Sequence, residues 1–190
     1  MDISRKHIEN IEVNFENVRP AKHRLDGESG LKELFLNELK CVYYMEKTLL
    51  KSFPKTIKNA CSFELIEAVT IHQEETKLQI IRLEDIFALL EENPMLERCQ
   101  PVESLLETID HVIEETKFGT VRDAGIVLGL HRIEHYEISS YNILNTYAEN
   151  MNLNKIALLL SESVNEEKVT ELRLAKIAQS IRFYSKNELL

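Results

Sequence analysis

Two pairs of glutamates recur at almost the same separation along this chain of 190 residues. Glu46 precedes Glu75 by 29 residues, and Glu137 precedes Glu167 by 30. Each first member lies in a tyrosine-containing stretch, and each second member is the later residue of a Glu-Glu pair. If each pair spans a helical hairpin, four carboxylates from four helices can meet at one depth. Carboxylates that converge in a helical core are costly unless cations or protons neutralise them, so the spacing indicates a dinuclear metal site.

Further potential ligands lie one helical turn from these glutamates. Residues three or four positions apart share a face of a helix, so such neighbours can reach the same site. Di-iron and di-manganese sites combine bridging carboxylates with terminal carboxylate or imidazole ligands, so two ions of iron or manganese are the expected cofactors. The candidate metal ligands are Glu46, His72, Glu75, Glu134, Glu137, Glu167 and Glu171, with Gln79 as an outer group.

The same residues also have simpler interpretations. Glutamate pairs are common on solvated helices, and His72 could equally be a packed histidine of the core or its rim. His131 and His135 lie on either side of Glu134 in the sequence, and either could donate a hydrogen bond to a ligand carboxylate. A tyrosine hydroxyl could also bind a carboxylate, although packing between helices is the favoured role for tyrosines near the predicted site. These are Tyr43, Tyr136 and Tyr141.

The overall composition restricts the class of protein. Hydrophobic residues make up 44% of the chain and charged residues 29%, which is typical of a globular protein. A formal net charge of −9 argues against binding to nucleic acid, which requires a basic surface. The three cysteines form no CxxC motif, which favours a reducing, cytoplasmic compartment. No apolar run is long enough to span a membrane, so we expect no membrane association.

Only 5 glycines and 4 prolines interrupt the chain, which favours long helices with short connections. The apolar period predicts helices over residues 31–60, 63–91, 102–116, 121–150 and 153–182. Pro54 is expected to kink or interrupt the first helix, and residues 26–30 are predicted to form a loop. The short third helix lies in the only long connection, between the second and third long helices. This order predicts an all-α, ferritin-like four-helix bundle with a short fifth helix in the crossover.

The chain is predicted to contain one domain, over residues 30–185, preceded by an extension of residues 1–29. Apolar residues recur at helical spacing within residues 8–18, which permits a short amphipathic helix. This extension could be mobile, or it could pack on a neighbouring subunit.

Several motifs in the chain are similar to those of a known family. The most specific is Glu134-His135-Tyr136-Glu137-Ile138, followed by Tyr141. Together with the others, it resembles the YciE/YciF-like family of ferritin-like bacterial stress-response proteins over roughly residues 31–180. The further motifs are Leu34-Phe35-Leu36-Asn37-Glu38-Leu39-Lys40, Met45-Glu46-Lys47, His72-Gln73-Glu74-Glu75-Thr76, Cys99 to Leu106, Val121-Arg122-Asp123-Ala124 and Glu166-Glu167-Lys168.

The resemblance implies a homodimeric four-helix bundle with a fifth helix, related in fold to rubrerythrin and bacterioferritin. A dinuclear metal site is implied by the same likeness. The chain departs from the rubrerythrin pattern, in which a histidine follows a ligand glutamate by three or four residues. Leu78 and Gln79 follow Glu75 at these positions, and Thr170 and Glu171 follow Glu167. Cys41 stands where many relatives carry an acidic residue.

Two functions are therefore considered. The first is a dinuclear iron or manganese protein of bacterial stress response that oxidises Fe(II) or reduces peroxide or oxygen. The second is a dimeric helical protein that binds no metal and acts through a partner. In the second case the acidic groups of the core would be protonated or paired with arginine. The arginines available for this pairing are Arg82, Arg132 and Arg173.

Overall fold

The structure is a computed structural model that describes residues 25–182, so the helix predicted within residues 8–18 lies outside the described residues. Five α-helices are present, and the described residues contain no strand. The all-α prediction is confirmed, and each helix begins and ends within four residues of its predicted bounds. The helices are α1 (Gly27–Asn59), α2 (Phe63–Leu89), α3 (Gln100–Glu115), α4 (Thr120–Asn150) and α5 (Asn154–Ser180).

The first helix begins earlier than predicted, and Pro54 does not interrupt it. It begins at Gly27, so the loop predicted for residues 26–30 is wrong, because Asp26 acts as an N-cap and accepts a hydrogen bond from the Gly27 amide at 2.8 Å. Helical structure also continues through Pro54 to Asn59. Pro54 is exposed, whereas Phe53 is fully buried. Burial of the neighbouring turn therefore holds the helix together although the proline lacks an amide donor.

The four long helices contact one another in a closed order. α1 packs on α2 and α4, and α5 packs on the same two helices, while the short α3 lies mainly against α4. Each long helix contributes fully buried apolar side chains to the interior, such as Phe53, Leu65, Ile133 and Leu160. Burial of each such side chain contributes roughly 1.5–3 kcal/mol. None of the helices within residues 25–182 combines the length and the apolar character needed to cross a lipid bilayer.

Two glycines allow α3 to approach α4 closely. A Cβ atom at Gly125 would lie 2.3 Å from Cγ1 of Val112, and one at Gly129 would lie 2.3 Å from Cγ1 of Ile109. Such distances are shorter than carbon atoms tolerate, so a side chain at either position would force Val112 or Ile109 to shift. The absence of side chains at these two positions therefore allows α3 to pack closely on α4.

A buried aspartate of α4 holds the connection between α1 and α2. Asp123 Oδ1 accepts a hydrogen bond from the Cys61 amide at 2.7 Å, and its Oδ2 accepts one from the Ser62 amide at 2.7 Å. Ser62 is the N-cap residue of α2, and its own side chain makes no capping hydrogen bond. Asp123 thus supplies acceptors that the start of α2 lacks, and its negative charge suits a helix N-terminus.

Replacement of Asp123 with alanine is expected to lower the free energy of unfolding by about 2–3 kcal/mol, because two amides lose a charged acceptor. Urea unfolding followed by circular dichroism measures this loss. The control is Asp110→Ala, which removes a half-exposed ion pair with Lys55 and should cost at most about 1 kcal/mol. An equal, small loss in both variants would contradict the capping role of Asp123.

Candidate metal centre

Five ionisable side chains from the four long helices are buried together. We call them the buried centre, and each is at most 2% exposed. They lie in the buried stripes of their helices: Val42 and Leu49 flank Glu46 on α1, and Val69 and Thr76 flank His72 on α2. These polar groups therefore face the interior because they share a helix face with buried apolar side chains. The buried centre consists of Glu46, His72, Glu134, Glu137 and Glu167.

Four members of the buried centre are close enough to share one ion. One ligand atom from each of His72, Glu134, Glu137 and Glu167 lies within 4.8 Å of the others. His72 Nδ1 is 3.0 Å from Glu134 Oε1, and His72 Nε2 is 3.9 Å from Glu137 Oε2 and 3.7 Å from Glu167 Oε2. One imidazole therefore lies among three carboxylates contributed by two other helices.

Glu46 completes the buried centre from α1. Its Oε1 accepts a hydrogen bond from the Tyr141 hydroxyl at 2.6 Å, and its Oε2 has no hydrogen-bond partner among the described residues. Among the three tyrosines considered from the sequence, Tyr141 alone contacts the centre. Tyr43 donates to Glu84 on the surface, and the hydroxyl of Tyr136 lies 3.4 Å from Cys99 Sγ.

Most polar atoms of the buried centre are unsatisfied by protein groups. Within residues 25–182, no hydrogen bond reaches either oxygen of Glu134 and Glu137, Oε2 of Glu167 or Nε2 of His72. Oε1 of Glu134 is close to His72 Nδ1 but is not aligned with it as an acceptor. Buried polar atoms are rarely left without partners. A set of carboxylate oxygens with one imidazole nitrogen is suited to iron or manganese, so these residues fit the predicted metal ions.

Burial and mutual repulsion favour the neutral forms of three of these carboxyl groups. Burial, reinforced by neighbouring glutamates, raises the pKa of Glu137 and Glu167 well above 4.5. Burial also raises the pKa of Glu46 to about 7, although Tyr141 and His72 oppose this shift. For His72, burial lowers the pKa, but Glu134 and other glutamates outweigh it and raise the pKa above 6.5. The centre therefore retains protons unless a cation replaces them.

The arginines of the described residues do not neutralise the buried centre. Arg82 forms a two-point ion pair with Glu166, and Arg173 lies 3.6 Å from Glu75, while Arg132 is exposed. Within residues 25–182, no lysine or arginine pairs with a carboxylate of the centre. The pairing with arginine that the sequence allowed thus occurs at the rim rather than in the core.

Gln79 orients one carboxylate of the centre, in the outer position predicted from the sequence. Its Nε2 donates to Glu167 Oε1 at 2.5 Å and to Glu166 Oε2 at 3.1 Å. Glu166 is in turn held by both terminal nitrogens of Arg82, at 2.8 and 2.9 Å. This chain of contacts joins α2 to α5 and fixes the side chain of Glu167.

The structure does not bring Glu75 and Glu171 into the buried centre. Glu75 is 23% exposed and accepts a hydrogen bond from Thr170 Oγ1 at 2.9 Å. Glu171 is 20% exposed and lies 3.0 Å from His131 Nε2. On α2 it is His72, three residues before Glu75, that faces the interior. Glu75 therefore lies at the edge of the buried centre rather than in the inner set predicted from the 29-residue spacing.

A signal for His72 was present in the sequence. Leu65, Val69, Thr76 and Leu83 are all buried, and His72 lies on their stripe. Glu75 instead precedes Leu78 by three positions, and Leu78 is exposed. A comparison of complete stripes, rather than of glutamate spacings, would have placed the histidine inside.

The fold and the site define an all-α protein of five helices with a buried histidine and glutamate cluster that could bind metal. A family profile described as "Domain of unknown function (DUF892)" matches residues 30–183, and the chain belongs to this family. Protein YciF of Escherichia coli (strain K12) is 35% identical over 150 residues, which cover 78% of this chain and 90% of YciF. The resemblance to the YciF-like family found in the sequence is thereby confirmed.

Two solved structures are similar to this fold. The crystal structure of the E. coli stress protein YciF matches with a TM-score of 0.76 and 33% identity, over 78% of this chain and 94% of that one. YcfI from Rhodopseudomonas palustris matches with a TM-score of 0.77 and 30% identity, over 86% of this chain and all of the other. The fold of this chain is thus similar to the folds of both solved structures.

Proposed function

We propose that the buried centre holds two ions of iron or manganese, and that the protein uses them to oxidise Fe(II) or to reduce oxygen or peroxide. The observation that carries the proposal is the set of unsatisfied ligand atoms that converge from α2, α4 and α5, beside the buried Glu46 of α1. The closed contact order of these helices is consistent with a ferritin-like bundle, whose interior accommodates such sites. The proposed ligands are Glu46, His72, Glu134, Glu137 and Glu167.

Bound iron or manganese would supply the ability to exchange electrons with oxygen species. The protein groups would hold and orient these ions. Gln79 fixes Glu167, and the Tyr141 hydroxyl fixes Glu46 through a hydrogen bond to its Oε1. Burial raises the pKa of Tyr141 well above 10, so the phenol stays protonated and remains a donor to Glu46. The apolar side chains around the centre exclude bulk water.

The biological setting is proposed from a relative. YciF of E. coli is described as a stress protein, and it covers most of this chain. Removal of peroxide or of free Fe(II) is chemistry that a cell under oxidative stress needs. We therefore propose that this protein acts in stress response.

The test is metal analysis together with an activity assay. Protein purified without chelator, or reconstituted anaerobically with Fe(II) or Mn(II), is expected to contain close to two ions per chain. Glu137→Gln and Glu167→Gln should each lose at least one ion and the oxidation of added Fe(II). Glu162→Gln is the matched control, since this exposed residue on the same helix as Glu167 pairs with Arg82 Nε and leaves both contacts between Arg82 and Glu166 in place. A parent protein that takes up neither metal would overturn the proposal.

A second candidate is a homodimer that binds no metal and acts through a partner. It is favoured by exposed apolar side chains on α2, where Ile71, Leu78 and Ile81 are 37%, 57% and 54% exposed. These residues recur at helical spacing and could form the subunit interface that the family resemblance implies. A homodimer is compatible with either candidate, so metal content rather than oligomeric state separates them.

A further inference from the structure

A second group of potential ligands lies outside the buried centre, between α4 and α5. We call His131, His135 and Glu171 the outer group. One ligand atom from each lies within 4.8 Å of the other two. His131 Nε2 is 3.0 Å from Glu171 Oε1, and the two imidazole rings pack edge to face with centroids 4.6 Å apart.

Helix geometry explains this grouping. His131 and His135 are four residues apart on α4, so they share one face of the helix. α5 packs against α4 and presents Glu171 to the two imidazoles. His131 is 31% exposed and Glu171 is 20% exposed, while His135 lies openly on the surface. An ion can therefore reach the outer group directly from solvent.

We propose that the outer group is a separate binding site for a divalent ion of the zinc, nickel and copper class. Two imidazoles and one carboxylate form a ligand set that zinc uses when a water completes its coordination. Imidazole favours these ions over magnesium or calcium. The buried centre, with four carboxylates and one imidazole, favours iron or manganese instead. The two sites thus differ in both ligand chemistry and access.

An ion pair between His131 and Glu171 is the simpler explanation of the outer group. A surface pair of this kind contributes only about 0–1 kcal/mol, and it requires no third residue. His135 is the residue that an ion pair leaves unexplained, because its ring packs on His131 and its ligand atom lies within reach of both partners. The role of His135 in metal binding therefore distinguishes the two explanations.

The chain contains a natural comparison for the outer group. His111 Nε2 lies 3.3 Å from Glu115 Oε2 on α3, as an exposed pair four residues apart. Among the described residues, this pair belongs to no group of three or more potential ligands. It therefore reproduces a surface His-Glu pair without a second imidazole, and it should bind these ions far more weakly.

The experiment is titration of metal-free protein with Zn(II), followed by calorimetry. The background is the double variant Glu137→Gln and Glu167→Gln, which disables the buried centre so that only the outer group is measured. One Zn(II) per chain is expected, and His131→Ala or His135→Ala should each weaken binding at least tenfold. His111→Ala should leave binding unchanged. No saturable binding, or binding indifferent to His135→Ala, would overturn the proposal.

A second measurement identifies the ligands and does not depend on the double variant. Electron paramagnetic resonance of the unmodified chain with one equivalent of Cu(II) should show coupling to two imidazole nitrogens. Coupling to one nitrogen is expected after His135→Ala, and coupling unaffected by this substitution would contradict the assignment. Because the outer group shares no residue with the buried centre, failure of one site would leave the evidence for the other intact.

Discussion

Addition of Fe(II) or Mn(II) to the metal-free protein under anaerobic conditions should raise its melting temperature by roughly 5–10 °C. A ligand that binds only the folded state stabilises it by about 2.7 kcal/mol when its concentration is a hundred times the dissociation constant. For a chain of this size, each kcal/mol corresponds to roughly 2–4 °C. The expected cause is neutralisation of Glu46, Glu137 and Glu167, which are crowded together and have no lysine or arginine partner within residues 25–182.

Glu137→Gln should change stability in opposite directions in the two states of the protein. Without metal, the amide removes a buried acidic group and should stabilise the fold at neutral pH by about 1 kcal/mol. With metal, the variant lacks a ligand and should lose most of the increase in melting temperature. Scanning calorimetry of both states measures the two effects. Glu162→Gln, at an exposed position, should behave like the parent in each state.

An equal metal-induced increase in Glu137→Gln and in the parent would show that the ions bind elsewhere. A loss of stability in the metal-free variant would have a different meaning, because it would indicate that Glu137 supports the fold as a charged group. The opposite signs therefore separate a ligand role from a purely structural one.

The helices were predictable because their apolar period is almost uninterrupted. The features that differ from the prediction depend on individual contacts, which the spacing of apolar residues does not reveal. Asp26 begins α1 four residues early through a capping hydrogen bond, and Pro54 is tolerated because its helix is anchored by buried side chains such as Phe53. Asp123 was visible only as part of a family motif. Its role as an acceptor for Cys61 and Ser62 depends on a packing contact some 60 residues away in sequence.

The site was predictable in part for a similar reason. Glu46, Glu137 and Glu167 follow from spacing because each lies in the buried stripe of its own helix. Glu75 does not, because it lies beside the stripe that α2 buries, and its carboxylate accepts a hydrogen bond from Thr170 of α5. The outer group depends on the register between α4 and α5. That register is set by the packing of the two helices, and the spacing of residues within one helix does not determine it.

The second large effect is expected in the pH dependence of stability. Between its ordinary pKa of 4.5 and its folded-state pKa of about 7, Glu46 binds more protons in the folded chain than in the unfolded chain. The free energy of unfolding therefore falls as pH rises through this range. Glu46 alone accounts for a change on the order of 3 kcal/mol, and the raised values of Glu137 and Glu167 act in the same direction. The raised pKa of His72 also stabilises the folded state. This stabilisation is fully present below pH 6.5, and it is lost as the pH rises through the folded-state pKa of His72.

Surface carboxyl groups with lowered pKa values prevent stability from rising further at acidic pH. Hydrogen bonds from Tyr43 and Lys47 lower the pKa of Glu84, and Arg98 and Tyr44 lower that of Glu103. A carboxyl group with a lowered pKa contributes stability above its unfolded value, and it loses that stability as pH falls through its folded value. Stability of the metal-free protein should therefore be greatest near pH 5 and should decline towards pH 8.

Metal should reverse this slope, because ligand carboxylates must lose their protons before they bind an ion. Urea unfolding at about pH 5, 6, 7 and 8 should therefore give declining free energies of unfolding in chelator and rising ones in excess Mn(II). Glu137→Gln should flatten both curves, whereas Glu162→Gln should reproduce the parent. A metal-free protein that becomes more stable from pH 5 to pH 8 would mean that the buried carboxylates are held by positive groups of the chain. The proposal of a bound metal cation would then fail, because positive groups of the protein would already neutralise the buried carboxylates.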